Sequence, residues 1–434
     1  MTRGLVEKIL KCSNANLKRG RHQPYSTDNL NLSNKFCILI ASIRIEDLSD
    51  IDNKTFFFDL KITSTSVYRS AYNRNLSTLD NLFRFLFGIN DMKFRLDHLL
   101  FRIFLGRRWR RKLWASKADL ERLETLIKVR NAPRLVDQYS LQSFEFQWDA
   151  GEGLFNPSIV EFGANFLVSA RQSNLINKND GDCRIEDLEG RVVSKCLLAE
   201  YSRDFQKIRE FSLNFGAIPK TENQEFCGIE DVRLFDWDGK IWLTGSAVFR
   251  DARSRKNIVK QCLARIDGET LSEVQIFDSP LKRDIEKNWI PLVRNSELFF
   301  VYRFQPLGML ALQSTGRLVT IKPLAEGPDF DIRGGTPFIR WHGVWLTLVH
   351  SNRMDYAGKV YYTHNLLVLD DEFDIFEMSE PFFIERSGIE YAAGLVASDG
   401  GVYVTYGFAD RVSKGIFLPH NLLADQLRLT FKNL

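Results

Sequence analysis

The sequence has little that would set it apart from ordinary globular proteins. Its six cysteines (positions 12, 37, 183, 196, 227 and 262) form no CxxC pair and no regular framework, which favours reduced thiols in a cytoplasmic protein. The longest apolar runs, Phe36 to Ile43 and Leu99 to Leu105, are far shorter than the roughly 18 residues that span a bilayer. No signal-peptide pattern opens the chain, so we expect no export. A content of 44% hydrophobic and 26% charged residues excludes wholesale disorder and fibrous folds.

Net charge divides the 434 residues into two parts. The chain as a whole carries +4, but residues 1–138 hold 26 basic and 14 acidic side chains, whereas residues 139–434 hold 33 and 41. Opposite charges suggest two units with different partners. We therefore predict a basic N-terminal region, 1–138, and a separate domain, 139–434.

The N-terminal region is predicted to be partly helical. Residues 1–35 are polar and expected to be loosely ordered, while leucine and phenylalanine recur at helical spacing from Leu79 to Phe104 and again from Ser116 to Arg130. Between these segments lies a basic cluster at 107–112, flanked by aromatic residues. It is either a solvated loop, a face that docks on the acidic half, or a contact for phosphates or an anionic lipid surface. We expect no nucleic-acid partner, because no nucleic-acid-binding fold accompanies the cluster.

The second part repeats one unit five times. Each copy has a polar loop motif, a short strand, a tight turn and a second strand, with motif positions at 156, 231, 288, 336 and 393. Turn residues such as Asp238-Gly239 and Asn295-Ser296 are typical of β-hairpins, because they tolerate positive φ. Strand repeats of this length indicate propeller blades.

We therefore predict a mainly β fold, a five-bladed β-propeller with a mostly α-helical N-terminal extension. Gln261 to Ile266, Asn365 to Leu369 and Glu380 to Ile384 are expected to be outer strands. The fifth copy has only a short tail after it, so a strand near Phe144 to Gln147 is expected to close the ring.

Rotation about one axis brings equivalent positions of all blades to one mouth of the channel. These positions hold carboxylates, guanidiniums, an ammonium group and amides, which are costly to bury unless they are paired or used. The set suits a polyhydroxylated ligand together with an anion, and the alternative is an ion-pair network that fills the channel. The residues are Asn156, Arg171, Glu230, Asp231, Arg233, Lys287, Asn288, Arg303, Thr336, His350, Glu390, Tyr391 and Asp410.

The motifs at these positions resemble glycoside hydrolase family 130, over roughly residues 145–418. That family comprises β-mannoside phosphorylases and hydrolases, and related mannosyltransferases share its five-bladed propeller. One departure is Val232, where the family usually has proline. The resemblance is carried by Asn156-Pro157, Gly228 to Arg233, Lys287 to Trp289, Gly334 to Pro337, Glu390 to Gly394 and Tyr406 to Asp410.

The resemblance implies roles for individual residues. Asp231 matches the family's proton donor, which acts through a sugar hydroxyl while phosphate attacks from the opposite face with inversion. Arg233, Arg303 and His350 match phosphate-holding positions, with Arg171 and Lys287 nearby. Asn156, Asn288 and Asp410 match sugar contacts, and we add Glu230, Thr336, Glu390 and Tyr391 as substrate-binding candidates.

The general chemistry of glycosidic bonds leads to a similar expectation without the family resemblance. Glycosidic bonds break through an oxocarbenium-like state that needs a positioned acid and an attacking group on the other face. Glu230 would raise the pKa of Asp231 and Arg233 would lower it, so the sequence does not fix the direction. We expect no metal, because His342, His350 and His364 lack ligand spacing, and no cofactor beyond phosphate, a sugar phosphate or a nucleotide sugar as co-substrate.

Three functions stay open. The first is glycosidase-type or phosphorolytic transfer of a β-mannosyl-type unit. The second is a glycosyltransferase of cell-surface polysaccharide assembly, held at the inner membrane surface by residues 101–112. The third is a non-catalytic glycan-binding propeller.

The membrane hypothesis predicts a salt-sensitive association with anionic vesicles. Neutralising Arg107, Arg108, Arg110 and Arg111 together should reduce co-sedimentation with phosphatidylserine liposomes, since each basic residue near an anionic surface contributes about 1 kcal/mol. Neutral phosphatidylcholine liposomes serve as the control. Equal binding by the wild type and the fourfold variant would exclude this role for the cluster.

Overall fold

The computed structural model describes residues 40–44, 57–61, 129, 131–179, 182–187, 189–219, 223–324, 332–354 and 359–428. The chain divides into two compact units, Met1–Lys117 and Ala118–Leu434. The functional division at residue 138 that the charge suggests stays a prediction.

The described part of the first unit is an antiparallel strand pair. Strand β1 (Ile40–Arg44) pairs with β2 (Phe57–Lys61), with Ile40 opposite Lys61. This pair is not among the elements that the sequence pattern predicts. The helix predicted from Leu79 to Phe104, the basic cluster 107–112 and the polar stretch 1–35 lie outside the described residues, as does the helix predicted over 116–130 except for Val129.

The second unit is a five-bladed β-propeller, which confirms the predicted propeller, while the α-helical N-terminal extension stays a prediction. The first elements in its described part are the short helix α1 (Leu135–Gln138) and strand β3 (Ser143–Glu145). Blade 1 consists of β4 (Leu154–Phe162), β5 (Asn165–Ser173), β8 (Ser194–Tyr201) and β9 (Lys207–Ser212), with the hairpin β6 (Leu175–Asn179) and β7 (Asp182–Ile185) inserted between β5 and β8.

Blades 2 and 3 are antiparallel sheets whose strands follow chain order. Blade 2 consists of β10 (Gln224–Trp237), β11 (Lys240–Asp251), β12 (Asn257–Asp267) and β13 (Thr270–Ile276). Blade 3 consists of β14 (Ile290–Arg294), β15 (Glu297–Phe304), β16 (Leu307–Leu312) and β17 (Leu318–Lys322).

Blades 4 and 5 depart slightly from this plan. Blade 4 has its inner strand in two pieces, and blade 5 takes its outer strand from β3. Blade 4 consists of β18 (Ile332–Gly334), β19 (Ile339–Trp341), β20 (Val344–Met354), β21 (Val360–Leu369) and β22 (Ile375–Met378). Blade 5 consists of β23 (Glu390–Ser398), β24 (Gly401–Phe408), β25 (Val412–Pro419) and β3, and helix α2 (His420–Gln426) follows.

The hairpin turns form where the sequence predicts them. Asp238 and Gly239 have φ of 54° and 70°, Asn295 and Ser296 have 52° and 63°, and His342 has 43°. Two-residue turns with positive φ match the right-handed twist of the strands that they join. These local signals make the first two strands of each blade predictable.

The hydrophobic core lies between blades rather than at one centre. Five clusters of buried side chains each join two neighbouring blades, in the order 1–2, 2–3, 3–4, 4–5 and 5–1. Leu135 of α1 and Leu423 of α2 are both fully buried in the cluster between blades 4 and 5. Every blade therefore depends on both neighbours for burial of its apolar faces.

The ring closes through β3, as predicted. Phe144 lies opposite Gly415 of β25, and a Cβ atom at Gly415 would come within 2.3 Å of the Phe144 ring. Glu385 strengthens the closure, because it accepts hydrogen bonds from Lys414 at 2.9 Å and Ser143 at 3.1 Å.

One predicted outer strand is wrong. Residues 380–384 form no blade strand, and β22 occupies the outer position of blade 4 instead. Pro381 offers no N–H to a sheet ladder, and Phe382 and Phe383 are fully buried. The segment makes only isolated bridges, from Phe382 to His364 and from Phe383 to Arg134.

Within the described residues, no helix is both long and apolar enough to cross a lipid bilayer.

The junction of blade 4 with α2 predicts acid sensitivity. Trp341 Nε1 donates to His420 Nδ1 at 3.1 Å, and burial together with nearby His342 lowers the pKa of His420. Because the folded state favours neutral imidazole, the stability from this group is present above about pH 6.5 and lost as pH falls below it. His420→Asn keeps an acceptor for Trp341 without titrating there, so its unfolding free energy should fall less between pH 7.5 and 5.5.

His420→Ala provides the comparison, since it removes the acceptor and should cost about 1 kcal/mol at pH 7.5 and less at pH 5.5, where the wild type has already lost part of this contribution. Urea unfolding at the two pH values measures both effects. An identical pH dependence in the wild type and His420→Asn would contradict the assignment.

Candidate functional site

The inner strands of blades 1, 2 and 5 bulge at the same end of the propeller. Register shifts occur between Phe155 and Ser158 in β4, Glu230 and Arg233 in β10, and Ala392 and Gly394 in β23. Bulges re-aim side chains and are frequent beside functional sites.

Asn156 and Asp231 are the bulged residues that meet. Their backbones adopt left-handed φ of 51° and 53°, which asparagine and aspartate tolerate better than most residues. Asn156 Nδ2 donates to Asp231 Oδ1 at 2.9 Å. Two positions that are 75 residues apart in the sequence are thus brought into direct contact.

Arg171 and Lys287 balance the carboxylates around this contact. Arg171 donates to Glu230 at 2.7 Å and to Asp231 at 3.3 Å, and its Nε donates to Ser194 Oγ at 3.0 Å. Lys287 Nζ lies 2.6 Å from the other oxygen of Glu230, and its side chain is 38% exposed. The cluster therefore has a buried cation on one side and a solvent-facing cation on the other.

Asp231 is held in its ionised form. Burial acts to raise its pKa, but Arg171, Lys287 and the hydrogen bond from Asn156 together lower it below the usual 3.8. The pKa of Arg171 is correspondingly raised, because the field of Glu230 and Asp231 outweighs its own desolvation. At neutral pH this site presents a carboxylate rather than a carboxylic acid, and Asp231 is 16% exposed.

Arg233 links several blades through hydrogen bonds. Its side chain is fully buried, and it donates to the carbonyl oxygens of Gly335 at 2.6 Å, Asp231 at 3.0 Å and Gly334 at 3.2 Å. It also donates to Asn288 Oδ1 at 3.1 Å and to the Tyr391 hydroxyl.

This placement bears on the role expected for Arg233 as a phosphate ligand. A buried guanidinium needs many partners, and here the protein itself supplies them from four blades. The structure thus gives Arg233 a place in holding the site together, and its contact with phosphate stays a prediction.

Tyr391, His350 and Tyr362 form an aromatic wall. The Tyr391 hydroxyl donates to Asn288 Oδ1 at 3.1 Å, and its ring meets the edge of His350 at 4.9 Å. His350 stacks on Tyr362 with 5.5 Å between centroids and 4° between planes. Burial, with nearby His364 and Arg333, holds the pKa of His350 well below 6.5, so its imidazole is neutral.

Tyr362 and Arg333 are two further residues at this wall that no sequence motif predicts. Tyr362 is half-buried, and its pKa responds to both Asp231 and Asp410. Arg333 is exposed and lies opposite His350 in the β18–β20 pair. The only signal for either is cross-strand register, which a single sequence does not reveal.

Thr336 and Glu390 face the protein instead of the channel. Both are fully buried. Thr336 Oγ1 accepts from Leu348 N at 3.0 Å, and Glu390 accepts three backbone N–H groups, from Ile384, Glu385 and Arg386. Burial raises the pKa of Glu390 to about 7, although these three donors oppose the rise. Neither side chain offers a surface to a ligand.

The two remaining candidates are placed by their strands. Asp410 lies in the left-handed turn after β24 and accepts from Asn177 at 3.3 Å. Arg303 is half-buried on β15, within electrostatic reach of the Tyr302 phenol. Asp410 raises the pKa of Arg171 and so belongs to the central cluster.

No metal centre is evident in the part of the chain that the structure describes: no three His, Cys, Asp or Glu side chains there are grouped to hold an ion.

Comparison with known proteins gives structural matches alone. No family model and no curated protein sequence matches. Three solved structures resemble this chain. The first is a β-1,2-mannobiose phosphorylase from Listeria innocua in complex with β-1,2-mannobiose, and the second represents the GH130 family of mannoside phosphorylases, which contains glycoside hydrolases that target β-1,2-mannosidic linkages in Candida mannan. The third is a GDP-Man-dependent mannosyltransferase from Leishmania mexicana.

The identities to these three proteins are 16%, 14% and 12%, with TM-scores of 0.45, 0.43 and 0.44. The matches cover 64%, 61% and 64% of this chain and 92%, 84% and 89% of theirs.

Gly407 offers a test of how Asn156 holds Asp231. A Cβ atom there would lie 2.1 Å from Asn156 Oδ1, so Gly407→Ala should displace Asn156 and raise the pKa of Asp231. Overpacking of this kind typically costs about 1–3 kcal/mol of stability. Carboxyl-carbon NMR titration with labelled aspartate, together with urea unfolding, measures both consequences.

Asn156→Ala separates these two effects, because it removes the hydrogen bond without a steric clash. It should raise the pKa of Asp231 with a smaller loss of stability than Gly407→Ala. An unchanged pKa in both variants would show that Asn156 does not hold the carboxylate.

Proposed function

We propose that this chain is a carbohydrate-active enzyme that transfers a β-mannosyl-type unit, with inversion, between a sugar hydroxyl and a phosphate-bearing group. The reaction is phosphorolysis or, in the opposite direction, glycosyl transfer. The observation that carries the proposal is the ionised Asp231, fixed between Asn156 and Arg171 with the solvent-facing Lys287 nearby.

The charge state of Asp231 favours bond formation as the first step. Microscopic reversibility makes the acid that assists bond cleavage the base that assists its formation. An ionised carboxylate is ready to accept the proton of an acceptor hydroxyl, directly or through a sugar hydroxyl. The acceptor oxygen then bonds to the anomeric carbon, the bond from that carbon to the donor's phosphate oxygen breaks, and the phosphate leaves with the electron pair.

Phosphorolysis runs the same steps in reverse. A protonated Asp231 then gives its proton to the leaving sugar oxygen, while phosphate attacks the anomeric carbon. The depressed pKa of Asp231 makes that protonated form scarce in the free protein at neutral pH.

The anionic group needs cations that are accessible. Lys287 and Arg333 are exposed, whereas the guanidinium groups of Arg171 and Arg233 are buried among protein acceptors. His350 adds a neutral imidazole whose buried Nδ1 has no hydrogen-bond partner among the described residues. We assign the phosphate to the part of the site formed by Lys287, Arg333 and His350, with Arg303 as a further candidate ligand.

The test is a screen of donors against acceptors. Mannose 1-phosphate and GDP-mannose are offered to mannose and to β-mannosides, with and without added phosphate. Phosphate release marks transfer from the sugar phosphate, GDP release marks a nucleotide-sugar transferase, phosphate-dependent loss of the β-mannoside marks phosphorolysis, and phosphate-independent loss marks hydrolysis.

Asp231→Asn should reduce turnover by about 10²–10⁴-fold, the usual contribution of a general acid or base. Asp238→Asn is the matched control, because Asp238 has a similar left-handed φ of 54° in the hairpin turn of the same blade. Full activity in Asp231→Asn would exclude the assigned role. Unaltered urea unfolding shows that any loss is chemical.

A non-catalytic glycan-binding propeller is the alternative, and it predicts glycan binding with no turnover in any arm of the screen. The cytoplasmic location, and the attachment of a polysaccharide-assembling transferase to the inner membrane surface through residues 101–112, remain further proposals. The vesicle experiment above addresses the attachment.

A further inference from the structure

The hairpin β6–β7 leaves blade 1 directly beside the candidate site. β5 ends at Ser173 and β8 begins at Ser194, which lie opposite each other in the sheet. Ser194 Oγ accepts from Arg171 Nε at 3.0 Å. The base of the hairpin is therefore hydrogen-bonded to the same guanidinium that holds Asp231.

The base is locked by polar contacts. The Asn174 side chain donates to Arg191 O and accepts from Val193 N, both at 2.8 Å. Arg191 pairs with Asp187 at 3.1 Å and with Glu225 of blade 2 at 2.9 Å. These contacts give the hairpin a defined direction where it leaves blade 1.

The strand β6 is tied to blade 5. Asn177 is 2% exposed, its Nδ2 donates to Asp410 Oδ2 at 3.3 Å, and its backbone oxygen accepts from Arg411 Nε at 2.8 Å. The hairpin therefore bridges the junction of blades 1 and 5.

Asp410 connects the hairpin to the candidate site, because it accepts from Asn177 of β6 and lies near Arg171. Ala409 and Asp410 both have left-handed φ, at 55° and 51°, so the carboxylate projects from a tight turn. Its negative charge contributes to raising the pKa of Arg171 and of Tyr362. A carboxylate on a turn binds hydroxyl groups well only if its position is fixed before the ligand arrives, because ordering it later costs affinity.

We infer that the hairpin β6–β7 is the wall of the glycan-binding cavity at blades 1 and 5, and that Asn177 and Arg411 are positioning residues that orient Asp410 toward the hydroxyl groups of a bound glycoside. This inference rests on the proposed function for its ligand class.

Two variants test the positioning. Asn177→Asp places a second carboxylate against Asp410, so affinity for a mannoside should fall by about tenfold or more at pH 8, equal to about 1.4 kcal/mol, and recover in part at pH 5.5 as the pair takes up a proton. Arg411→Ala should loosen the hairpin, with faster amide hydrogen exchange in strands β6 and β7 and weaker binding at both pH values.

Arg184→Ala is the matched control, since it removes an exposed guanidinium from the same hairpin. It should bind like the wild type at both pH values. The probe is β-1,2-mannobiose, with β-1,4-mannobiose in a parallel arm, titrated by calorimetry so that the result does not depend on turnover.

The outcomes separate the two proposals. Wild-type affinity in both Asn177→Asp and Arg411→Ala, or no binding of either mannobiose by the wild type, overturns the inference. A loss that is equal at both pH values in Asn177→Asp also overturns it, because a merely structural defect would not follow the ionisation of the pair. Binding without turnover would remove the proposed activity while this inference stands.

Discussion

One desolvated guanidinium holds the candidate site together. Arg233 is fully buried, and its hydrogen-bond acceptors come from four blades. Leaving such a charge unpaired would cost several kcal/mol, so the surrounding backbone must keep its carbonyl groups in place. A Cβ atom at Gly334 or Gly335 would come within 2.2 Å or 2.4 Å of a neighbouring backbone oxygen. This explains why glycines occupy both positions whose carbonyl groups accept from Arg233.

The carboxylate of Asp231 depends on the contacts of Arg233. Asp231 supplies a backbone oxygen to Arg233, while its side chain receives hydrogen bonds from Asn156 and Arg171. Backbone and side chain are thus fixed separately, which suits the proton transfer that we propose for Asp231. The arrangement also explains the low pKa, since each fixing contact stabilises the charged form.

Local sequence signals predict the hairpins of the propeller, whereas the contacts that depend on strand register are not visible in the sequence. Turn pairs such as Asp238-Gly239 mark the hairpins, and the shortage of strands after the fifth copy pointed to closure by Phe144 and its neighbours. The motifs do not reveal the direction of every side chain, and Thr336 and Glu390 are buried among protein partners. Tyr362 lies far from every motif, and only the pairing of β20 with β21 brings it to His350.

The closure of the ring by β3 has a consequence for synthesis. The outer strand of blade 5 leaves the ribosome before any residue of blades 1 to 4, and its partner β25 leaves after them. Until then β3 has an unpaired edge, and Phe144 and Phe146 lack the Gly415 surface and the apolar neighbours that bury them. The nascent chain must therefore carry an unpaired, aggregation-prone strand until β25 has been synthesised.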